Sequence, residues 1–366
     1  MIKWIGPVFD KSGYAQANRD YIKALDLIGC DIQLQPMNEL RQCDEMNETT
    51  LFLQNLTKKE IKYEYVIHHY VPENIHKIVE KDKINIAYNT WETTALPTHW
   101  VERMNSSVDL ICVPSFFNKI YYESSGINVP VVVVEHCFDF NEFNFPVMNL
   151  LEKFNDAYKF ISVFQWTERK NPQALLKAYF TSFTEKDNVI LILKTYGSST
   201  SEREINKIKQ EIELIKNGLN LKHYPPIFLI GKSLSRPELI SLYKECDCFV
   251  LPTRGEGFGL PFAEAAICGN HIIAPTFGAQ VEFLNEEYTS FIDYFLTPVY
   301  GMSWIPNYNG HMKWAEPSVQ EIEVAMKGAY YVKARQKNTN NVLSHLNYEN
   351  VGSFFKNCIV KTQKRG

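Results

Sequence analysis

PTRGEGFGLPFAEA, residues 252–265, joins two patterns that predict different secondary structures. The apolar run before it, CFVLPT, predicts a buried strand ending near Thr253. The run that closes it predicts a short helix with Pro261 in its first turn and Gly269 at its C-terminal cap. The loop between them is rich in glycine, which lets a backbone approach a ligand closely, and the first amides of a helix point outward. We therefore expect an anion site here, suited to a phosphate or a diphosphate.

The same alternation of strand-like and helix-like runs continues through the chain. Buried strands are predicted for runs such as IKWIGP, INIAYN and NVILILKTY, and amphipathic helices for YAQANRDYIKALDLIG and SEREINKIKQEIELIKNG. Continuous β-branched strands separated by helices favour parallel sheets covered on both faces. We predict an α/β protein with two Rossmann-like, doubly wound domains, residues 1–150 and 151–335, facing a cleft, and a final amphipathic helical tail in residues 336–366.

Composition narrows the class of protein. The 366 residues carry a net charge of -4 without blocks of one sign, which argues against a broad nucleic-acid-binding surface. No apolar run reaches membrane-spanning length, and the N-terminus does not resemble a signal peptide. The eight cysteines show no metal-ligand spacing, so we expect structural thiols and a cytoplasmic protein. The basic end of the tail leaves contact with an anionic membrane surface open, although so few charges make a poor anchor.

Two glutamates frame the glycine-rich loop. Glu256 lies within the loop and Glu264 one turn into the predicted helix, so the anion site falls between them. Ionised carboxylates accept hydrogen bonds from hydroxyl groups. One carboxylate at each end of a diphosphate fits a nucleoside diphosphate sugar, with the sugar at one end and the ribose at the other. A glycine-rich turn followed by an acidic residue in a helix is also a common structural device, and spacing alone leaves both interpretations open.

EGFGLPFAE, residues 256–264, resembles the E-x7-E motif of family 4 glycosyltransferases, retaining enzymes of the GT-B fold. SVFQWTERKNPQALLKAY resembles the loop and helix that open the second domain of that family, and IGKSLSRPELISLYKECDCFVLPT resembles the segment leading into the motif. FDKSGYAQANRDYIKAL and NTWETTALPTHWVERMN resemble one subgroup of the family. The resemblance covers most of residues 1–331 and is strongest over 160–293. It implies a tail helix that crosses back to the first domain.

The resemblance assigns roles to the motif residues. Glu256 matches the residue that contacts the donor sugar, and Glu264 matches the one that binds the ribose. The backbone between them is expected to hold the diphosphate or the sugar, at Gly257, Phe258, Gly259 and Leu260.

The resemblance also implies cations for the leaving diphosphate, which gains charge in the transition state. The family lysine matches Lys170. The family arginine is replaced here by Phe164 or Gln165, and we expect Arg169 or Lys194 to substitute for it. Each of these two cations could instead be an ordinary surface charge.

Candidates in the first domain match less closely. Gly13, in the first strand-to-helix loop, is expected either to let the backbone approach the donor sugar or only to begin a helix. The family histidine that contacts the sugar is absent from YNTWETT, where Glu92 or Thr90 is the expected stand-in. His136 matches a family position near the cleft, or is a plain strand-end residue. Of the adjacent histidines at positions 68 and 69, one is expected to face inward as a hydrogen-bonded core residue.

The predicted function is a retaining glycosyltransferase that moves a hexose-type sugar from a UDP- or GDP-linked donor to an acceptor hydroxyl, with no metal and no other cofactor. Retention implies that a donor phosphate oxygen takes the acceptor proton. The acceptor stays open among glycan, lipid-linked sugar, metabolite, protein and modified nucleic acid, and the oligomeric state is not predicted. The alternatives are an epimerase or phosphorylase of the same fold, or a non-catalytic protein that binds a nucleotide sugar or a glycan.

Overall fold

A computed structural model describes residues 1–37, 47–335 and 342–365. The chain divides into two compact units, Met1–Phe140 with Ser344–Gly366, and Asn141–Leu343. Each unit is built on a six-stranded parallel sheet. The predicted α/β class with two Rossmann-like sheets is confirmed.

The strands of the first unit's sheet lie in the order β2-β1-β3-β4-β5-β6. Its order changes direction between β1 and β3, and ligands of doubly wound sheets bind beyond the carboxyl ends of strands at such a point. The elements described up to residue 133 are β1 (Ile2–Gly6), α1 (Gly13–Leu27), β2 (Ile32–Pro36), α2 (Glu48–Thr57), β3 (Tyr65–His69), β4 (Ile84–Tyr88), α3 (Thr98–Asn105), β5 (Leu110–Val113), α4 (Phe116–Ser124) and β6 (Val131–Val133).

The second unit has the sheet order β12-β11-β10-β7-β8-β9, which reverses between β7 and β10. An antiparallel pair of strands, β13 and β14, follows β12 and was not predicted from the sequence. The elements are β7 (Tyr158–Gln165), α5 (Pro172–Ser182), β8 (Val189–Tyr196), α6 (Glu202–Leu219), β9 (Ile227–Ile230), α7 (Arg236–Glu245), β10 (Cys248–Val250), α8 (Leu260–Ile267), β11 (His271–Pro275), β12 (Thr289–Ile292), β13 (Tyr294–Pro298), β14 (Lys313–Pro317) and α9 (Val319–Tyr331).

Local signals place the ends of the helices that border the second sheet. Pro172 begins α5 and Pro261 lies in the first turn of α8, where proline has no intrahelical N–H bond to lose. Ser235 and Glu238 form a reciprocal capping box at the start of α7. Strand β10 is shorter than predicted and ends at Val250 rather than near Thr253.

The second unit begins at Asn141 rather than at the predicted residue 151. The backbone N–H of Met148 donates to Ser241 Oγ at 2.7 Å, and those of Leu150 and Leu151 donate to the Glu245 carboxylate at 2.9 and 2.7 Å. Residues that look like a linker in sequence are therefore bound along α7, because that helix supplies the acceptors their amides need.

The adjacent histidines are both buried, so the residue predicted to face inward is accompanied by a second buried histidine. A parallel sheet covered on both faces buries successive side chains of a strand. His68 donates from Nε2 to Asn85 Oδ1 and accepts from the Tyr70 hydroxyl at Nδ1, both at 3.0 Å. Burial lowers the pKa of His68 to about 4, so it is a neutral, hydrogen-bonded core residue, as expected.

The tail helix α10 (Tyr348–Lys361) belongs to the first unit and packs on α1. The Tyr348 hydroxyl donates to Asp20 Oδ1 at 2.7 Å, and Phe355 is fully buried. Gly352 lies against α1 so closely that a Cβ atom would sit 2.7 Å from the carbonyl oxygen of Ala24. The predicted tail also covers residues 336–341, which lie outside the described residues.

The described part of the chain contains neither a disulfide nor a candidate membrane-spanning helix. The seven cysteines within the described ranges form no disulfide, and Cys43 lies outside those ranges. In the same ranges, no helix combines the length and the apolar character needed to cross a membrane.

We predict that Gly352→Ala destabilises the protein, because its methyl group would meet backbone atoms that cannot rotate away. The expected loss is about 1–3 kcal/mol in the free energy of unfolding, measured by urea denaturation followed by circular dichroism. Gly328→Ala in α9 is the matched control, since a Cβ atom there meets nothing within 4 Å. The control should be neutral or stabilising by up to about 1 kcal/mol. Equal effects of the two substitutions would contradict the close packing of α10 on α1.

Candidate functional site

The loops that follow β7 and β10 lie side by side, because these two strands are neighbours where the order of the second sheet reverses. The backbone N–H of Arg254 donates to the carbonyl oxygen of Arg169 at 2.7 Å. The Thr253 hydroxyl donates to the same oxygen at 3.3 Å. These bonds fix the basic loop after β7 against the glycine-rich loop after β10.

A buried ion pair joins the two loops. Lys170 Nζ donates to Glu256 Oε1 at 2.5 Å, although the two residues are 86 positions apart in the chain. Only 8% of Lys170 and 5% of Glu256 is exposed. Arg169 lies beside them, with Nη1 3.5 Å from Glu256 Oε2 and donating to the carbonyl oxygen of Gly255 at 2.7 Å. The structure therefore brings together three of the predicted site residues.

The charge state of Glu256 follows from these neighbours. Burial alone would raise the pKa of its carboxyl, but the positive charges of Lys170 and Arg169, with the hydrogen bond from Lys170, lower that pKa below its usual value. Glu256 is therefore an ionised acceptor at neutral pH. A group of this kind can accept hydrogen bonds but has no proton to give.

The turn into α8 depends on Gly259. Its φ of 95° lies in the left-handed region, and it occupies the N-cap of the helix. A Cβ atom at this position would sit 3.0 Å from the Phe262 ring. Gly257 and Phe258 are also buried, and the Phe258 ring packs on Phe283 with centroids 4.9 Å apart. The segment from Gly257 to Leu260 is therefore held by packing directly after Glu256.

The loop after β11 also supports Glu256. The backbone N–H of Ala279 donates to the carbonyl oxygen of Glu256 at 3.0 Å. Gly278 has a φ of 110°, and a Cβ atom there would sit 3.2 Å from the Glu256 amide nitrogen. A glycine just after a predicted strand was the only sequence signal for this contact.

Glu264 has its own cationic partner, Arg236. Glu264 is 5% exposed on α8, and its Oε1 accepts a short hydrogen bond from Arg236 Nη1. Arg236 also donates from Nε to Glu142 Oε2 at 2.8 Å. Arg236 and Glu142 were not predicted as site residues, because no spacing rule connects the start of α7 or residue 142 with the motif.

The family arginine position carries no cation. Gln165 is exposed and donates to the carbonyl oxygen of Gly197 at 3.2 Å, while Phe164 is buried against Trp166. Lys194 is not an ordinary surface charge, since only 9% of it is exposed at the carboxyl end of β8. Its Nζ lies 5.7 Å from the centroid of the Tyr196 ring. Of the two residues expected to replace the family arginine, Arg169 contacts Glu256.

The buried Arg254 holds the surrounding loops together through its hydrogen bonds. Arg254 forms a two-pronged pair with Glu316 on β14, with nitrogen–oxygen distances of 2.7 and 3.0 Å. It also donates to the carbonyl oxygen of Glu168, and its guanidinium lies over the Tyr300 and Trp314 rings. The β13–β14 pair is thereby joined to both site loops. Such planar pairing is specific to arginine.

The remaining predicted residues belong to the first unit. Gly13 is the first residue of α1, after the N-cap Ser12. Glu92 is half-buried in the segment that follows β4. His136 is buried after β6, with its Nδ1 3.1 Å from the Tyr21 hydroxyl, and burial lowers its pKa to about 3, so that its ring is neutral. Their roles stay predictions.

Residues 1–37, 47–335 and 342–365 hold no group of three or more His, Cys, Asp or Glu side chains that could bind a metal ion. The site geometry described above is thus made of cations, carboxylates and backbone.

Part of the chain is similar to a known protein family. Residues 148–293 match the family model for glycosyl transferases group 1. The serotype-specific mannosyltransferase WbdA of Escherichia coli is 30% identical over 142 residues, which are 38% of this chain and 16% of that protein. The matched segments span 15–28% of the length of the curated relatives.

Two solved structures resemble the whole chain. Sucrose-phosphate synthase from Thermosynechococcus elongatus has a TM-score of 0.68 at 14% identity, covering 98% of this chain and 97% of that one. Anabaena HepE in complex with UDP-glucose has a TM-score of 0.67 at 12% identity, covering 98% and 99%. At such identities the likeness shows the fold, which is that of GT-B glycosyltransferases. The segment 148–293, which matches the group 1 model, holds Lys170, Glu256 and Glu264.

Proposed function

We propose that this protein is a retaining glycosyltransferase that moves a hexose from a nucleoside diphosphate sugar to an acceptor hydroxyl without a metal ion. The observation that carries the proposal is the cluster of half-buried Arg169 with buried Lys170 and Glu256, in which Glu256 lies just before the N-terminus of α8. Basic side chains, outward-pointing helix amides and a buried carboxylate are the groups that a sugar diphosphate requires.

The diphosphate would lie at the start of α8. Leaving-group departure puts negative charge on the diphosphate, and fixed positive charges in a poorly hydrated site stabilise that change most effectively. Lys170 and Lys194 are both largely buried, so water screens them weakly. These cations supply the stabilisation that Mg²⁺ supplies in metal-dependent enzymes, which is the basis for proposing metal independence.

Glu256 would hold the transferred sugar. Because its pKa is lowered, it stays ionised and accepts hydrogen bonds from sugar hydroxyls rather than acting as an acid. No protein nucleophile is proposed. The acceptor hydroxyl would attack from the side of the leaving group and give its proton to a donor phosphate oxygen, which produces retention.

UDP-glucose is the first donor to test. HepE, a structural neighbour, is described in complex with UDP-glucose, and the relative WbdA is a mannosyltransferase. A panel of UDP- and GDP-linked glucose and mannose therefore covers the donors that the similar proteins suggest. The acceptor class stays open until a product is identified.

We predict that Glu256→Gln and Glu264→Gln each lower turnover of the best donor by at least about a hundredfold, since each removes a charged acceptor from a site poised for the transition state. Release of UDP or GDP from the donor panel measures the effect. Glu286→Gln, at an exposed position, is the matched control and should leave turnover unchanged. Full turnover in Glu256→Gln would overturn the site assignment. Donor binding without any turnover in the wild type would instead favour a non-catalytic binding protein.

We predict that Lys170→Gln lowers kcat by about a hundredfold and makes the remaining activity depend on pH. Without Lys170, one of the charges that lower the pKa of Glu256 is lost while the effect of burial remains, so that pKa rises and a larger fraction of the carboxyl is protonated in the variant than in the wild type as the pH falls from 8 to 5. Residual activity should therefore fall over that range, whereas Glu256 should remain ionised in the wild type. Lys186→Gln, on the exposed surface, is the control. An unchanged ratio of variant to wild-type activity across this range would show that Lys170 does not set the charge state of Glu256.

We predict that excess EDTA leaves turnover unchanged and that the product keeps the anomeric configuration of the donor. Proton NMR coupling constants of the transferred sugar measure the configuration. Loss of activity in EDTA that is restored by Mg²⁺ or Mn²⁺ would refute metal independence. An inverted product would refute the retaining mechanism and leave the donor site untouched.

A further inference from the structure

Arg236 is held in one position by three neighbours. It is the first residue of α7, and its side chain is 21% exposed. Nε donates to Glu142 Oε2 at 2.8 Å, and the guanidinium carbon lies 5.5 Å from the centroid of the Phe143 ring. Nη1 donates to Glu264 Oε1. The planar guanidinium can serve two carboxylates and an aromatic face at once, which a lysine ammonium cannot do with fixed geometry.

Arg236 donates a hydrogen bond to only one of the two oxygens of the Glu264 carboxylate. Within residues 1–37, 47–335 and 342–365, no group donates a hydrogen bond to its Oε2, although the side chain is only 7% exposed. The hydroxyl of Tyr243 is buried beside Glu264, and burial together with the nearby carboxylate raises the Tyr243 pKa, but among those residues this hydroxyl makes no hydrogen bond of good geometry. A buried charged acceptor without a donor is costly. The geometry is explained if a ligand hydroxyl completes the set.

We propose that Arg236 is a positioning residue for nucleotide recognition: anchored by Glu142, it fixes the Glu264 carboxylate so that Oε2 accepts a hydrogen bond from a ribose hydroxyl of the donor. The inference rests on the proposed function, because it requires a nucleoside diphosphate in the site. It adds a residue outside the E-x7-E motif to those that determine nucleotide binding. That residue is the first of α7 and precedes Glu264 by 28 positions.

The anchor on Glu142 is essential to the argument. Residue 142 lies in a short 3₁₀ helix, and the chain that follows it is bound to α7 through Met148, Leu150 and Leu151. Glu142 therefore moves with α7 and keeps the guanidinium aimed at α8. An arginine held at one end only would leave Glu264 free to change its rotamer.

The test is a ligand and mutant cycle. Dissociation constants are measured by calorimetry for UDP and GDP and for their 2′,3′-dideoxy forms, with wild type, Arg236→Gln and Glu264→Gln. We expect Arg236→Gln to weaken binding of the preferred ribonucleotide about tenfold, the loss of a charge-assisted hydrogen bond, and to leave the dideoxy form unaffected. The double variant should be no weaker than Glu264→Gln alone, since both changes remove one interaction.

Two further variants make the result decisive. Arg203→Gln removes an exposed arginine near the start of α6 and should change neither constant. Glu142→Gln keeps both Arg236 and Glu264 and should give the same ribose-dependent loss at reduced size, with an unchanged melting temperature. It serves as the test if Arg236→Gln does not fold.

Each other outcome counts against a specific claim. Equal losses for the ribonucleotide and its dideoxy form would mean that Arg236 contacts the diphosphate or only supports the fold, and would overturn the inference while sparing the proposed function. Additive losses in the double variant would also overturn it. Wild-type protein that binds neither UDP nor GDP would overturn the proposed function, and this inference with it.

Discussion

The ion pair between Lys170 and Glu256 is the constraint on which the rest of the second unit's site depends. A carboxylate that is 5% exposed is unfavourable unless a cation and hydrogen bonds compensate it. Lys170 can reach it only because the sheet order reverses between β7 and β10, which makes their loops neighbours. Gly259 and Gly278 then let the adjoining backbone pack around the pair without a clashing Cβ atom. The ion pair therefore depends both on the strand order that makes the two loops neighbours and on the glycines that leave room around it.

Two arginines, the buried Arg254 and the half-buried Arg236, form similar ion pairs with different results. Arg254 is bonded to both carboxylate oxygens of Glu316, and its face is covered by aromatic rings, so its contacts are complete within the protein. Arg236 also bridges two acidic residues, but it donates to only one oxygen of Glu264. The first arrangement stabilises the loops. The second has the form of a binding site that is ready for a hydroxyl group.

Much of the site could be predicted because its signals are local. The spacing from Glu256 to Glu264, the proline in the first turn of α8 and the basic pair before α5 each follow from neighbouring residues, and the structure places each on its expected loop or helix. The partners could not be predicted. Arg236 precedes Glu264 by 28 residues and Glu142 precedes Arg236 by 94, so no periodicity links them. Contacts of that kind depend on packing.

The sequence by itself determined the α/β class, the two parallel sheets and the motif that carries two glutamates, because hydrophobic periodicity and helix-end chemistry act over a few residues. Only the tertiary structure decided which cation meets which carboxylate. It also placed residues 141–150 with the second unit and buried both adjacent histidines. The physical reason is that buried charges and amides must find partners in three dimensions, and the fold, rather than the spacing along the chain, determines which partners lie within reach.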